Sequence, residues 1–208
     1  MTSNHDANQG GAIFLVGPGG VGKTTVGPLL AGLTAREFVD LDARFCTEIG
    51  VVDTVIAEQG YRAYCEANSE LAAQIVNESR VSGPRPGNVV MATSSGFLAH
   101  HGCDDIVERN LALIRNTGTS VFLLPAADLD DAARVLTFRQ VQRFPNRDVV
   151  AEYLIAHDRC GRYMASSDRM VLADCMPHEV ANRIVVELMM GGADLVGAAH
   201  RASYERTH

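Results

Sequence analysis

The stretch "AIFLVGPGGVGKTT", residues 12–25, constrains this chain more than any other. Five continuous apolar residues, Ala12 to Val16, read as a strand buried on both faces. Gly17 to Thr24 then fit the spacing G-x-x-x-x-G-K-[ST], and the residues that follow read as a helix. Glycines at these positions let backbone N–H groups turn inward around phosphate oxygens, and the helix N-terminus adds partial positive charge. Lys23 supplies a point charge to the outer phosphates, and the Thr24 hydroxyl is placed for Mg2+. Lys23 is also the only lysine in the chain, against seventeen arginines. Gly19, Gly20, Val21, Gly22, Lys23, Thr24 and Thr25 are therefore the expected seat of nucleotide phosphates.

A phosphate loop alone does not fix the reaction, because kinases, motors and switches share it. A guanine-reading Asn-Lys-x-Asp motif is excluded, since no second lysine exists. A motor would want a water-orienting acid after its third strand. This chain reads Thr93-Ser94-Ser95-Gly96 there instead.

Further along, apolar runs alternate with amphipathic ones. Strands are expected at 37–42, 88–93, 119–124 and 169–173. Helices are expected at 24–35, 43–50, 54–60, 61–79, 104–116, 128–137, 148–164 and 178–190. Pro28 falls early in the first helix, Gly50 closes the second, and Asp53 is the expected cap of the third. "RVSGPRPGN" reads as a loop by its Pro and Gly. "FRQVQRFPNR", 138–147, reads as a mobile basic loop; His100 and His101 either line the site or, the preferred reading, start a surface helix. Such alternation implies an α/β fold with a five-stranded parallel sheet covered by helices on both faces. Ligands in such sheets bind beyond the carboxyl ends of the strands. The residues singled out at 17–24, 40–42 and 93–96 all follow strands.

A net charge of −7 argues against a broad nucleic-acid surface. Five cysteines show no Cys-x-x-Cys pair and read as reduced thiols. The polar start "MTSNHDANQGG" has no signal core, and no apolar run approaches a membrane span. A cytoplasmic chain with no membrane or nucleic-acid partner is expected.

The order of "IFLVGPGGVGKTTVGPLLA", "FVDLD", "IAEQGYRAYCEANSEL" and "VVMATSSG" resembles the shikimate kinase family from about residue 12 to 190. The resemblance implies a nucleoside-monophosphate-kinase-like three-layer fold. One domain would span 12–190, with acceptor-binding helices at about 43–79, a lid at about 138–148, and loose tails at 1–11 and 191–208. It also implies ATP, Mg2+ and a small polyhydroxylated carboxylic acid as acceptor. A monomer or weak oligomer is the expectation, on which the resemblance is silent.

Carried over by motif, Asp40 helps hold Mg2+ with Thr24. Asp42 contacts acceptor hydroxyls and receives the proton of the attacking one. Arg143 is the leading lid arginine, with Arg139 and Arg147 as competitors, and Lys23, Asp42 and Arg143 form the expected catalytic set. Arg159 matches an acceptor-binding arginine, Arg134 one that stacks on adenine, and Pro177 the loop that walls the base. Ser94, Ser95 and Gly96 stand where the family has Gly-Gly-Gly, as the floor of the acceptor pocket.

The family's Phe-Arg-x-x-Glu is replaced here by Tyr64-Cys65-Glu66-Ala67-Asn68. Cys65 thus stands in place of an arginine that contacts the acceptor carboxylate. Losing one charge-assisted contact costs about 1.5–3 kcal/mol. Arg62, three residues earlier on roughly the same helix face, is the candidate to reach that spot. Three functions follow: a shikimate kinase, a kinase for a related cyclitol, sugar or aminocyclitol without the carboxylate, or a nucleotide-binding protein that has lost catalysis. The intact Lys23, Thr24, Asp40 and Asp42 argue against the last.

Overall fold

The computed structural model describes residues 11–82 and 88–190. Strand β1 (Ala12–Val16) is buried along its whole length. Both alternating sets of its side chains are therefore covered, as the unbroken apolar run requires. The chain continues through α1 (Lys23–Thr34), β2 (Glu37–Asp40), α2 (Leu41–Glu48), α3 (Val52–Gln59) and α4 (Tyr61–Ser82). Then come β3 (Val89–Ala92), α5 (Asp104–Thr117), β4 (Gly118–Leu124), α6 (Leu129–Arg143), α7 (Val149–Ser166), β5 (Arg169–Leu172) and α8 (Pro177–Met189).

The five strands form one parallel sheet in the order β2-β3-β1-β4-β5. Strand order reverses at β1, so the crevice beyond its carboxyl end is where a ligand is expected. Helices α1 and α8 pack on each other and on the sheet, while α5 and α7 pack against β4. The apolar centre includes Phe14, Leu15, Met91, Phe122 and Tyr163.

Several boundaries differ from the sequence reading for physical reasons. β2 stops at Asp40, whose carboxylate caps α2 by accepting from the Ala43 N–H at 3.1 Å. Asp42, expected at a strand end, therefore lies in the first turn of a helix. α3 begins at Val52 after an N-cap at Val51, so Asp53 sits in its first turn and is not the cap. α6 runs on to Arg143, making "FRQVQR" helical where a loop was expected. That stretch has no Gly or Pro, and Arg and Gln are good helix formers. Pro145 then bars continuation. α4 extends to Ser82, and residues 83–87 of the expected loop, with both expected tails, lie outside the described residues save Gly11.

Candidate active site

The phosphate loop between β1 and α1 turns on glycines. Gly20 has φ 83° and Gly22, the N-cap of α1, has φ 106°, conformations that a side chain disfavours. At Gly19 the constraint is approach, because a Cβ there would overlap the Gln140 carboxamide. Lys23 is buried and folds back on the loop, donating to the carbonyls of Gly17 at 2.6 Å and Pro18 at 3.1 Å. Burial lowers its pKa to about 8, Asp42 and Asp40 pull it back up, and Arg159 pushes it further down. Those interactions place two carboxylates and one guanidinium around a single ammonium.

Beside it, the Thr24 hydroxyl donates to Asp40 at 2.9 Å. A hydroxyl and a carboxylate side by side at the loop are the hard oxygen donors that Mg2+ takes, so both residues fit that ion. Asp42 is held above the ordinary carboxylate range chiefly by burial, with Lys23 opposing the shift and Asp40 reinforcing it.

The third part of the site follows β3. From Val89 to His100 only Ser95 is not buried. Arg159 on α7 donates to the Ser95 hydroxyl at 3.2 Å, while its buried Nε has no partner. Ser94 donates to Asn68 of α4 at 2.8 Å, and the Asn68 amide nitrogen is likewise buried without a partner. The structure thus gathers Lys23, Thr24, Asp40, Asp42, Ser95 and Arg159 at the carboxyl ends of β1, β2 and β3.

Other expected residues lie elsewhere. Arg62 is more than half exposed and makes two bonds to Asp105, at 3.1 and 2.6 Å, plus an ion pair with Glu66 at 3.1 Å. Its guanidinium is engaged at the surface. Cys65 is wholly buried, and burial pushes its thiol up to about 12, so the position offers no charge.

Arg143 ends α6 with its guanidinium 5.2 Å from the Phe144 ring centre, and Arg147 lies over the same ring while pairing with Glu152 at 2.8 Å. Of the three arginines expected in a lid, it is Arg139 that reaches the phosphate loop, donating to the Gly20 carbonyl at 3.0 Å. Arg134 pairs with Asp131 at 2.8 Å and borders an open apolar groove of about 630 Å3 between α6 and α7, with Phe138, Val150 and Tyr153. Pro177 opens α8 just past β5.

His100, for which a surface helix start was the preferred reading over a place in the site, is 1% exposed and shares a 2.8 Å hydrogen bond with Tyr61. Two residues escaped the sequence reading: Tyr163 and Gln140 reach the site, from α7 and α6. The i, i+4 spacing of Arg159 and Tyr163 was the available signal for the tyrosine.

Comparison with known proteins places the chain in a family and a fold. The shikimate kinase family model matches residues 19–189. A shikimate kinase of Nitrosomonas europaea is 36% identical over 124 residues, covering 59% of this chain and 52% of that protein. Shikimate kinase 2 of an Enterobacter species is 30% identical over 182 residues, covering 87% of this chain and 97% of the relative. Among solved structures, a shikimate kinase from Bacteroides thetaiotaomicron superposes with TM-score 0.65 at 21% identity, over 86% of this chain and 98% of the other. One from Acinetobacter baumannii in complex with shikimate gives 0.63 at 22%, over 88% and 95%. At these identities the superpositions establish the fold.

Proposed function

Because the chain belongs to the shikimate kinase family, we propose that it transfers a phosphoryl group from ATP to a hydroxyl of a small polyhydroxylated acceptor, converting shikimate to shikimate 3-phosphate. The observation that carries the proposal is the meeting of Lys23, the Thr24–Asp40 pair, Asp42 and Arg159 beyond three adjacent strands. Phosphoryl transfer of this kind is mostly positioning and charge neutralisation. Lys23 and the loop hold the outer phosphates. Thr24 and Asp40 would hold Mg2+, which supplies charge neutralisation on the phosphate oxygens when bound. Asp42 orients the attacking hydroxyl and takes its proton; a carboxylate whose pKa is raised by burial is a better base for that role. Ser95 faces the acceptor floor, with the buried Ser94 tied to Asn68 and the buried Gly96 backing it, and Arg159 would meet an acceptor carboxylate as a bidentate partner. Arg139 takes the place of Arg143 as the lid arginine at the phosphates. With Arg62 engaged by Asp105 and Cys65 neutral, a second reading has an acceptor without a carboxylate.

An ADP-release assay with MgATP separates the two. Turnover of shikimate is expected; turnover of neutral polyols alone would sink the first reading in favour of the second. Asp42→Asn is expected to lower kcat by roughly 10²–10³ while nucleotide binding survives. The acid limb of the wild-type kcat profile belongs above the ordinary carboxylate range, because Asp42 must be ionised to accept the proton and burial raises its pKa.

A further inference from the structure

Ser95 is the one residue of 89–100 left open to the site, and it sits at a junction. On one side Arg159 donates to its hydroxyl oxygen at 3.2 Å. On the other, its Cβ lies 3.8 Å from where a Cβ on Gly19 would be, against the tip of the phosphate loop. Arg159 also acts electrostatically on Lys23, so the three groups share one neighbourhood. The Ser95 oxygen is accepting from a cation, and its own proton goes to no other described residue. A hydroxyl so polarised is a better donor than a free one.

The backbone at Ser95 is fixed as well. Tyr163, four residues after Arg159 and wholly buried, donates its phenol to the Ser95 carbonyl at 3.2 Å and accepts from the Leu98 N–H at 3.4 Å. Its ring stacks on Phe122 at 5.5 Å, so the phenol has little freedom. Burial holds that phenol well above the usual tyrosine range, keeping it a donor. One face of α7 therefore grips Ser95 twice, at its side chain through Arg159 and at its main chain through Tyr163.

We infer that the Ser95 hydroxyl is a catalytic donor to the phosphoryl group in transfer, and that Tyr163 is the residue that positions it. The inference rests on the kinase reading above and adds a step to it. A side-chain O–H at the junction of phosphate loop and acceptor floor reaches the charge that develops on the equatorial oxygens. No bond is made or broken by Ser95; it gives a hydrogen bond that strengthens as the phosphoryl group leaves one oxygen for another. An interaction realised only in the transition state raises kcat without tightening substrate.

The test uses the full chain with MgATP and whichever acceptor the wild type turns over. A wild type that releases no ADP with any acceptor overturns the kinase reading, and this inference with it. With an active wild type, Ser95→Ala is expected to lower kcat about tenfold or more, with both KM values within about twofold and Ser95→Thr restoring most of the loss. Tyr163→Phe keeps the ring on Phe122 and removes only the hydroxyl. It is expected to lower kcat in the same way, and the double variant to be no worse than Ser95→Ala alone. An unchanged kcat in Ser95→Ala, or a loss confined to acceptor KM, would overturn the donor role. Additive losses in the double variant would overturn the positioning role. Should Tyr163→Phe melt far below the wild type, the Ser95 variants still decide the donor role, and Tyr163 is then a packing residue.

Discussion

Burial gives the Lys23 ammonium of the nucleotide-free protein a pKa of about 8, and phosphates bind the protonated form. Raising the pH through 8 therefore strips the proton that ATP needs. ATP affinity is expected to fall by up to about tenfold per pH unit above that point, as one proton must be taken up on binding. Calorimetric titration between pH 7 and 9.5 measures this; a flat affinity would contradict it, and Lys23→Met is expected to bind weakly without the slope. His100 shifts for the same cause, down to about 4, with Arg159 adding to the shift. Its folded pKa lies below the unfolded value, so the unfolded chain takes the proton first. The stability involved is fully present above pH 6.5 and is lost as pH falls from 6.5 towards 4. A ring resonance that titrates near 6.5 in the folded protein would refute this, as would an equal acid sensitivity of His100→Gln. Neither shift is legible in the residue letters, because each depends on what packs around the side chain.

At the scale of elements, α1 shows how position decides the worth of a glycine. Gly27 is buried against the Phe38 ring of β2, and a Cβ there would overlap it. Gly32, on the exposed side of the same helix, has nothing within 4 Å. Alanine gains up to about 1 kcal/mol of helix propensity at either site. Gly32→Ala is expected to stabilise by about 0.5–1 kcal/mol. At Gly27 overpacking, which costs about 1–3 kcal/mol, outweighs the gain. Urea melts of the two variants should move in opposite directions; a stabilised Gly27→Ala would mean that Phe38 swings aside freely. Element types were largely legible from periodicity, as β1 and α5 show, because a buried strand and an amphipathic helix leave periods of their own. The end of α6 was not, since "FRQVQR" lacks a clear apolar stripe, and its helix is set by local propensity and by packing of α6 on α7.

For the molecule as a whole, nucleotide binding should act on global stability, since Lys23, Thr24 and Asp40, the residues proposed to hold MgATP, come together only when β1, α1 and β2 are assembled. At a hundredfold excess over Kd, MgATP adds about 2.7 kcal/mol. For a chain of this size that raises Tm by roughly 5–10 °C. Calorimetry with and without MgATP checks it, and Lys23→Met is expected to show little rise. By itself the sequence determined the phosphate loop, the alternation of strands and helices, and the acidic pair at 40 and 42. These are local patterns, written in consecutive residues with fixed spacing. Packing, in contrast, sets which partner each arginine takes. Arg62, Arg139, Arg143 and Arg159 carry the same side chain and differ only by partner: Asp105, the Gly20 carbonyl, the Phe144 ring and the Ser95 hydroxyl. Three of those four partners lie 43 or more residues away along the chain, a distance that no spacing rule spans and that the packing of helices on the sheet closes.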